Sequence, residues 1–113
     1  RLRGVSLSYS LEKPGEKIIE ALLNTLNTDP NINVRLAAVD ALYLFYQNPE
    51  VKEGLIHSLS SQTSPLIQAA LIDLMVSMRE RQAIDSLKRL LADEKLNPDI
   101  KQKVEQGIQQ LSF

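Results

Sequence analysis

Two aspartates 33 residues apart, Asp40 and Asp73, are the pair in this 113-residue chain that comes closest to a reaction centre. Carboxylates held close together can act as a general acid and a general base. The chain adds only one histidine, His57, and no cysteine. Because Leu55 and Leu59 mark the core face of its helix, we expect His57 to be solvated or at the rim, and it has no companion at metal-ligand spacing. The sequence predicts no catalytic, cofactor-binding or metal site, and we interpret both aspartates as polar groove positions.

The overall composition limits the classes of partner. The chain has 13 basic and 14 acidic residues, a net charge of -1, so nothing in its balance favours polyanions. No apolar run approaches the length that a bilayer requires, and this segment shows no charged-then-apolar pattern of a signal peptide. We therefore expect neither nucleic acid binding nor membrane contact from this segment. Because the chain begins at Arg1, we expect a piece of a longer protein, which could carry a transmembrane helix upstream.

Apolar residues recur along the chain at a spacing of 33 and indicate the elements that position the aspartates. Within each copy the spacing of 4, 4 and 3 residues describes one face of a helix. A helical repeat of this length is the signature of an α-solenoid, so the predicted fold class is all-α. The four columns are Val34/Ile67/Ile100, Ala38/Leu71/Val104, Leu42/Met75/Ile108 and Phe45/Met78/Leu111.

Prolines after good capping residues predict where helices begin. Amphipathic first helices share the columns Ile18/Val51, Leu22/Leu55 and Leu26/Leu59. The second helices, at 34–46 and 66–78, are apolar on nearly all sides, so we expect them in the interior. The helix from Pro98 to Ser112 is much more polar, as a C-terminal cap should be. The predicted starts are Asp29-Pro30, Asn48-Pro49, Ser64-Pro65 and Asn97-Pro98, with Pro14 preceding the first helix.

The first dozen residues allow two interpretations. Val5, Leu7, Tyr9 and Leu11 alternate as in a strand, but residues 1–11 also match residues 35–45 at an offset of 34. We favour a helix, the second of an upstream repeat whose first helix is missing. The predicted organisation is one domain of three and a half helical hairpins and seven helices in a right-handed superhelix. Its parts are a half-repeat at 1–12, repeats at 14–47 and 48–80, and a third repeat with the cap at 81–113.

The segment from Asp29 to Leu42 resembles the second half of a HEAT repeat, in the short variety shared with phycobilin-lyase-type proteins. The matching residues are Asp29, Pro30, Val34, Arg35, Ala38, Ala41 and Leu42. In this family the Asp and Arg of successive repeats often form a polar ladder. Here the Asp29 position becomes Gln62 and Lys95, and the Arg35 position becomes Gln68 and Lys101. We therefore expect no ladder beyond one repeat.

The segments NVRLAAVDALYLF and QTSPLIQAALIDLM are also similar to the C-terminal helical repeats of bacterial membrane proteins that begin with an anti-sigma-type zinc finger. That resemblance implies a regulatory, protein-binding context. The chain itself contains no Cys/His cluster that would make such a finger. The repeat subtype leaves open a phycobilin-lyase-like or chaperone-like role in cofactor attachment, and a nucleic-acid-binding repeat protein is the least favoured alternative.

The polar side of the second helices is the predicted binding surface. Tyrosine on a polar-rimmed surface is a common anchor for a protein partner, although Tyr43 and Tyr46 could equally pack between repeats. We predict a non-catalytic scaffold that binds a protein or peptide and is monomeric, unless its truncated N-terminal face self-associates. The candidate partner-binding residues are Arg35, Asp40, Tyr43, Tyr46, Gln47, Gln68, Asp73, Arg79 and Glu80.

Overall fold

The computed structural model describes residues 14–113, in which all regular secondary structure is helical. The prediction of an all-α fold is confirmed for this range. The predicted helix at 1–12, and with it the count of seven, lies outside the described residues. The helices are α1 (Pro14–Thr28), α2 (Ile32–Tyr43), α3 (Pro49–Ser61), α4 (Pro65–Ser77), α5 (Ile84–Leu91) and α6 (Pro98–Ser112), and a 3-10 turn (Arg81–Ala83) leads into α5.

The six helices form three hairpins that stack side by side. Within the hairpins α1 packs on α2, α3 on α4 and α5 on α6. Between hairpins like packs on like, α1 on α3 on α5 and α2 on α4 on α6. The radius of gyration is 16.0 Å, compared with about 13 Å for a compact domain of 100 residues. The molecule is therefore an elongated stack, and the right-handed sense of its superhelix stays a prediction.

Four helix starts were predicted where Asp, Asn or Ser precedes proline, and three of them lie where the sequence predicts. Asn48, Ser64 and Asn97 each accept a hydrogen bond from the first turn of the helix that follows, with proline at its first position. At α2 the expected start is wrong. The cap there is Asn31, which accepts from the amides of Asn33 and Val34. Asp29 instead accepts from the Asn31 amide, so Asp29-Pro30 forms the preceding turn.

The core lies between the hairpins and consists mainly of the predicted columns. Its fully buried members include Leu26, Leu42, Leu55, Leu59, Leu71, Met75 and Val104. At the N-terminal end of the stack the expectation is wrong, because Ile18, Val34 and Phe45 are exposed. The second helix of the first hairpin is therefore not interior on all sides.

That second helix is also shorter than predicted. It ends at Tyr43, because the amides of Leu44, Phe45 and Tyr46 bond the carbonyls three residues earlier and close a tight turn.

Candidate functional site

Three neighbouring surface depressions lie along the second helices of the three hairpins, and this row of depressions is here called the trough. The first, about 320 Å³, lies between α2 and α4 and is lined by Val39, Asp40, Tyr43, Ala70, Asp73, Leu74 and Ser77. The second, about 310 Å³, lies between α4 and α6 and shares Asp73 and Ser77 with the first. The third, about 400 Å³, shares Val76 and Gln110 with the second. Because neighbouring depressions share lining residues, the trough extends across α2, α4 and α6.

Tyr43 is the large aromatic residue at the α2 end of this trough. It occupies the last residue of α2, and its side chain is 49% exposed. Asp40, three residues earlier on the same side of the helix, is also exposed and lines the same depression. An exposed tyrosine beside a carboxylate offers an apolar face and two polar groups to a ligand.

Charge changes sign along the trough. Asp40 and Asp73 lie in the depression nearest α2, while Arg79 and Arg81 lie in the depression at the far end of α4. Between them, Lys103 Nζ of α6 lies 2.5 Å from Asp73 Oδ1. Because both members of this ion pair are partly exposed, it contributes little to stability and can exchange for a ligand's charge. The trough therefore has an acidic and a basic end.

Tyr46 does not belong to this surface, which corrects its assignment as a partner-binding candidate. Its side chain is 4% exposed, and its hydroxyl donates a 2.8 Å hydrogen bond to Glu80 Oε1 in the next repeat. The ammonium of Lys52 lies 5.5 Å from its ring centroid. Burial, then the hydrogen bond to Glu80 and its negative charge, raises the pKa of Tyr46 well above its ordinary value. Tyr46 and Glu80 hold the first two repeats together.

Arg35 and Gln68 are likewise committed to a polar junction between the first and second hairpins. Arg35 donates from Nε to the Leu26 carbonyl at 2.9 Å and from Nη2 to Gln62 Oε1. Gln62 Nε2 donates to Asn27 Oδ1 at 2.9 Å, and Gln68 Nε2 donates to the Gln62 carbonyl at 2.8 Å. Because Gln62 and Gln68 are buried, these hydrogen bonds pair amide groups that would destabilise the folded state if they were left without partners. Both Arg35 and Gln68 therefore act in packing.

The polar contacts at the positions of the family's Asp/Arg ladder differ from one repeat boundary to the next. At the first boundary Gln62 stands at the aspartate position and still accepts from Arg35, so the contact persists without a second charge. At the next boundary the corresponding pair is Gln68 and Lys95, of which Gln68 is buried and bonds the Gln62 carbonyl while Lys95 is exposed. A ladder of paired charges is therefore not maintained, as expected, but the sequence did not predict the charge-assisted hydrogen bond from Arg35 to Gln62.

Four of the predicted partner-binding candidates line the trough, and several other lining residues were not predicted. Asp40, Tyr43, Asp73 and Arg79 line it, and their contact with a partner stays a prediction, whereas Gln47 is exposed in the turn after α2 and is not among its lining residues. The missed residues are Ser77, Arg81, Lys103, Gln106 and Gln110. Two of them could have been found by extending the period, because 33 residues separate Asp73 from Gln106 and Ser77 from Gln110.

Metal-ligand clusters and membrane-spanning helices are both absent from residues 14–113. No group of three or more His, Cys, Asp or Glu side chains within 14–113 is arranged to hold a metal ion. None of the helices in that range is long and apolar enough to cross a bilayer.

The three hairpins and their like-on-like stacking agree with a comparison against protein families. The model of the HEAT repeats matches residues 19–109, which is most of the chain. The chain belongs to the HEAT-repeat family. HEAT repeats generally form non-catalytic scaffolds and commonly mediate protein–protein interaction. Neither a curated protein nor a solved structure matches this chain.

Proposed function

We propose that this HEAT-repeat chain is a non-catalytic scaffold that binds an extended segment of a protein along the trough of α2, α4 and α6. The observation that carries the proposal is that the three depressions are neighbours, since the first and second share Asp73 and Ser77 and the second and third share Val76 and Gln110. A compact small molecule would fill one depression. An extended peptide uses all three, because about six residues at roughly 3.3 Å each span three neighbouring helices.

Tyr43 is the proposed anchor. Its ring is half-exposed at the α2 end and can lose water against an apolar side chain of the partner, while its hydroxyl stays at the rim. Val39 and Leu74 supply the apolar floor of the same depression. Binding energy in such surfaces concentrates in a few aromatic anchors, so Tyr43 should dominate.

Charge selects the direction of the bound segment. A basic side chain is favoured at the α2 end, where Asp40 and Asp73 lie together in one depression. An acidic side chain is favoured at the other end, beside Arg79 and Arg81. The proposed partner segment therefore carries a basic residue and an acidic residue separated by several positions, with an apolar residue placed to contact Tyr43.

A phage-displayed library of random 12-residue peptides provides the probe. Peptides selected on the whole chain are synthesised, and their Kd is measured by titration calorimetry. We expect Tyr43→Ala to weaken binding about tenfold or more and Asp40→Asn several-fold. The matched controls are Leu66→Ala, an exposed apolar truncation on α4, and Glu53→Gln, an exposed charge removal on α3. Equal loss in the controls, or no peptide with a Kd under about 100 μM, would refute the proposal.

The wider context is proposed from sequence resemblance alone. We propose that the parent protein is a regulatory membrane protein of the anti-sigma type, with this domain as its protein-binding part. Zinc content of the full-length protein, measured by mass spectrometry, tests that context separately from the trough. A zinc-free parent would remove the anti-sigma-type context and leave the peptide measurements standing.

A further inference from the structure

Two arginines line the depression at the far end of α4 without a counter-charge. Arg79 and Arg81 are both exposed, and within residues 14–113 neither side chain forms an ion pair or a hydrogen bond. None of the described residues that line this depression of about 400 Å³ has a carboxylate side chain, since they are Val76, Arg79, Arg81, Gln110, Leu111 and Phe113. Two like charges that line one depression repel each other, and an anion bound between them relieves that repulsion.

Glu80 lies between the two arginines in the chain but is used elsewhere. Its Oε1 accepts the 2.8 Å hydrogen bond from the Tyr46 hydroxyl, and Glu80 is not among the residues that line the depression. The contact that joins the first two repeats thus holds this carboxylate on Tyr46. Arg79 and Arg81 therefore stay available to an anion from another molecule.

The backbone of Arg79 also indicates a use for its side chain. Its φ is 54°, a left-handed conformation that residues other than glycine adopt at a steric cost. Glycine is the usual residue at this position after a helix. An unfavourable conformation retained at an exposed charged residue is typical of binding sites.

A carboxylate and a phosphoryl group differ in how many arginines they can pair with. A carboxylate carries one negative charge and pairs with one guanidinium through two hydrogen bonds. A phosphoryl group on a side chain carries nearly two charges at pH 7 and has three acceptor oxygens. Two guanidiniums and the Gln110 amide, which is also a donor, line the same depression. This set of donors and charges matches a phosphoryl group better than a carboxylate.

We propose that Arg79 and Arg81 bind the phosphoryl group of a phosphorylated side chain in the partner segment. The proposal rests on the proposed function, because the same trough holds the segment. It assigns the acidic position at the basic end of the trough to a phosphorylated residue. Binding of the partner then depends on whether the partner is phosphorylated.

Three versions of one selected peptide test the proposal, with phosphoserine, serine or glutamate at the acidic position. Titration calorimetry on the whole chain gives each Kd. The phosphoserine version should bind at least about tenfold more tightly than the serine version and at least about threefold more tightly than the glutamate version. Equal Kd values for phosphoserine and glutamate would overturn the proposal and leave the trough as a peptide site. If no version binds, the proposed function fails as well.

Arg79→Gly and Arg81→Gln locate the phosphoryl group. Each should remove most of the preference for phosphoserine and change the Kd of the serine version by no more than about twofold. Arg79→Gly relieves the left-handed conformation, so weaker binding by that variant does not result from unfolding, and its Tm checks this. The matched control is Arg89→Gln, which removes an exposed arginine of α5. An equal loss of preference in the control would overturn the proposal.

Two further probes distinguish other sources of phosphate. Free O-phosphoserine should bind at least about a hundredfold more weakly than the phosphoserine peptide, because it lacks the rest of the segment. Equal affinity of the two would show a site for small phosphates and overturn the proposal. A single-stranded oligonucleotide of about 12 nucleotides should not displace the peptide. Displacement that is lost in Arg79→Gly would show a nucleic-acid site and would likewise overturn the proposal.

Discussion

The hydroxyl of Tyr46 donates a 2.8 Å hydrogen bond to the carboxylate of Glu80, joining the end of the first repeat to the end of the second. Tyr43, one turn earlier in the chain, is half-exposed in the trough. Two tyrosines three residues apart thus have different roles, the later one in packing and the earlier one at the surface. This difference makes stability and binding separable by substitution.

Substitutions at the two tyrosines should therefore differ in their effect on the free energy of unfolding. Tyr46→Ala should cost about 3–5 kcal/mol, because it removes a buried aromatic ring and leaves a cavity. Tyr43→Ala should cost no more than about 1 kcal/mol, since its ring is half-exposed. Urea unfolding followed by circular dichroism measures both values, and equal losses would contradict the assignment.

The Tyr46 hydroxyl should make stability fall at high pH. Its pKa is raised in the folded chain by burial, the Glu80 hydrogen bond and the Glu80 charge, so the unfolded chain loses that proton first as pH increases. The free energy of unfolding should then fall as pH rises above about 10, by up to about 1.4 kcal/mol per pH unit from this group.

Tyr46→Phe isolates this contribution from the lysines that titrate in the same range. The variant keeps the ring and removes the ionisable hydroxyl, so its free energy of unfolding should fall less steeply with pH than that of the native chain. Urea titrations at pH 8, 9, 10 and 11 give the two slopes. Parallel slopes would show that the hydroxyl is not protected in the folded state.

Replacing Arg79 with glycine should increase the stability of the folded chain. It follows the end of α4 with φ of 54°, a left-handed conformation that glycine adopts without steric cost. The Glu80 amide bonds the Met75 carbonyl at 2.8 Å and the Arg79 amide bonds that of Val76 at 3.0 Å, which closes the helix. Arg79→Gly should raise the free energy of unfolding by about 0.5–1 kcal/mol.

Arg81→Gly is the control for that substitution. Arg81 is also exposed and basic but lies at the start of the 3-10 turn, outside the positive-φ region. Glycine there gains no conformational relief and should lower stability slightly. If both variants are less stable than the native chain, the left-handed backbone conformation of Arg79 does not lower the stability of the native chain.

Two helical glycines should respond differently to alanine. At Gly107 the added methyl group would meet its nearest atom at 3.4 Å, an ordinary contact, so Gly107→Ala should gain about 0.5–1 kcal/mol from helix propensity. At Gly54 it would lie 2.6 Å from Leu23 Cδ1, so α1 or the Leu23 side chain must shift. Gly54→Ala should therefore be at least about 1 kcal/mol less stable than Gly107→Ala in urea unfolding, and a reversed order would contradict the helix spacing.

The helices and their stacking follow directly from the 33-residue columns. Ala38, Leu71 and Val104 repeat because each occupies the same buried site in successive hairpins. Prolines after Asn48, Ser64 and Asn97 mark true helix starts, since a local cap and a fixed φ determine each. These features depend on local chemistry and on period, both of which are visible in a sequence.

The site was only partly predictable, because surface roles depend on the neighbouring repeat. Tyr43 and Tyr46 are the same residue type three positions apart, and the turn that closes after α2 directs Tyr46 towards Glu80. Arg35 is a charged residue whose partners are distant in sequence, because Leu26 lies in α1 and Gln62 directly follows α3. Neither outcome follows from helical periodicity, which continues α2 to Tyr46.

The central claim, that a partner segment lies along the second helices, is tested most directly by amide chemical shifts on adding a selected peptide to the isotopically labelled chain. The largest changes should trace the trough from Tyr43 through Asp73 and Ser77 to Gln110. Amides on the exposed sides of α3 and α5, such as Glu53 and Lys88, should change little. Largest changes on α1, α3 and α5, with the trough unaffected, would contradict the account.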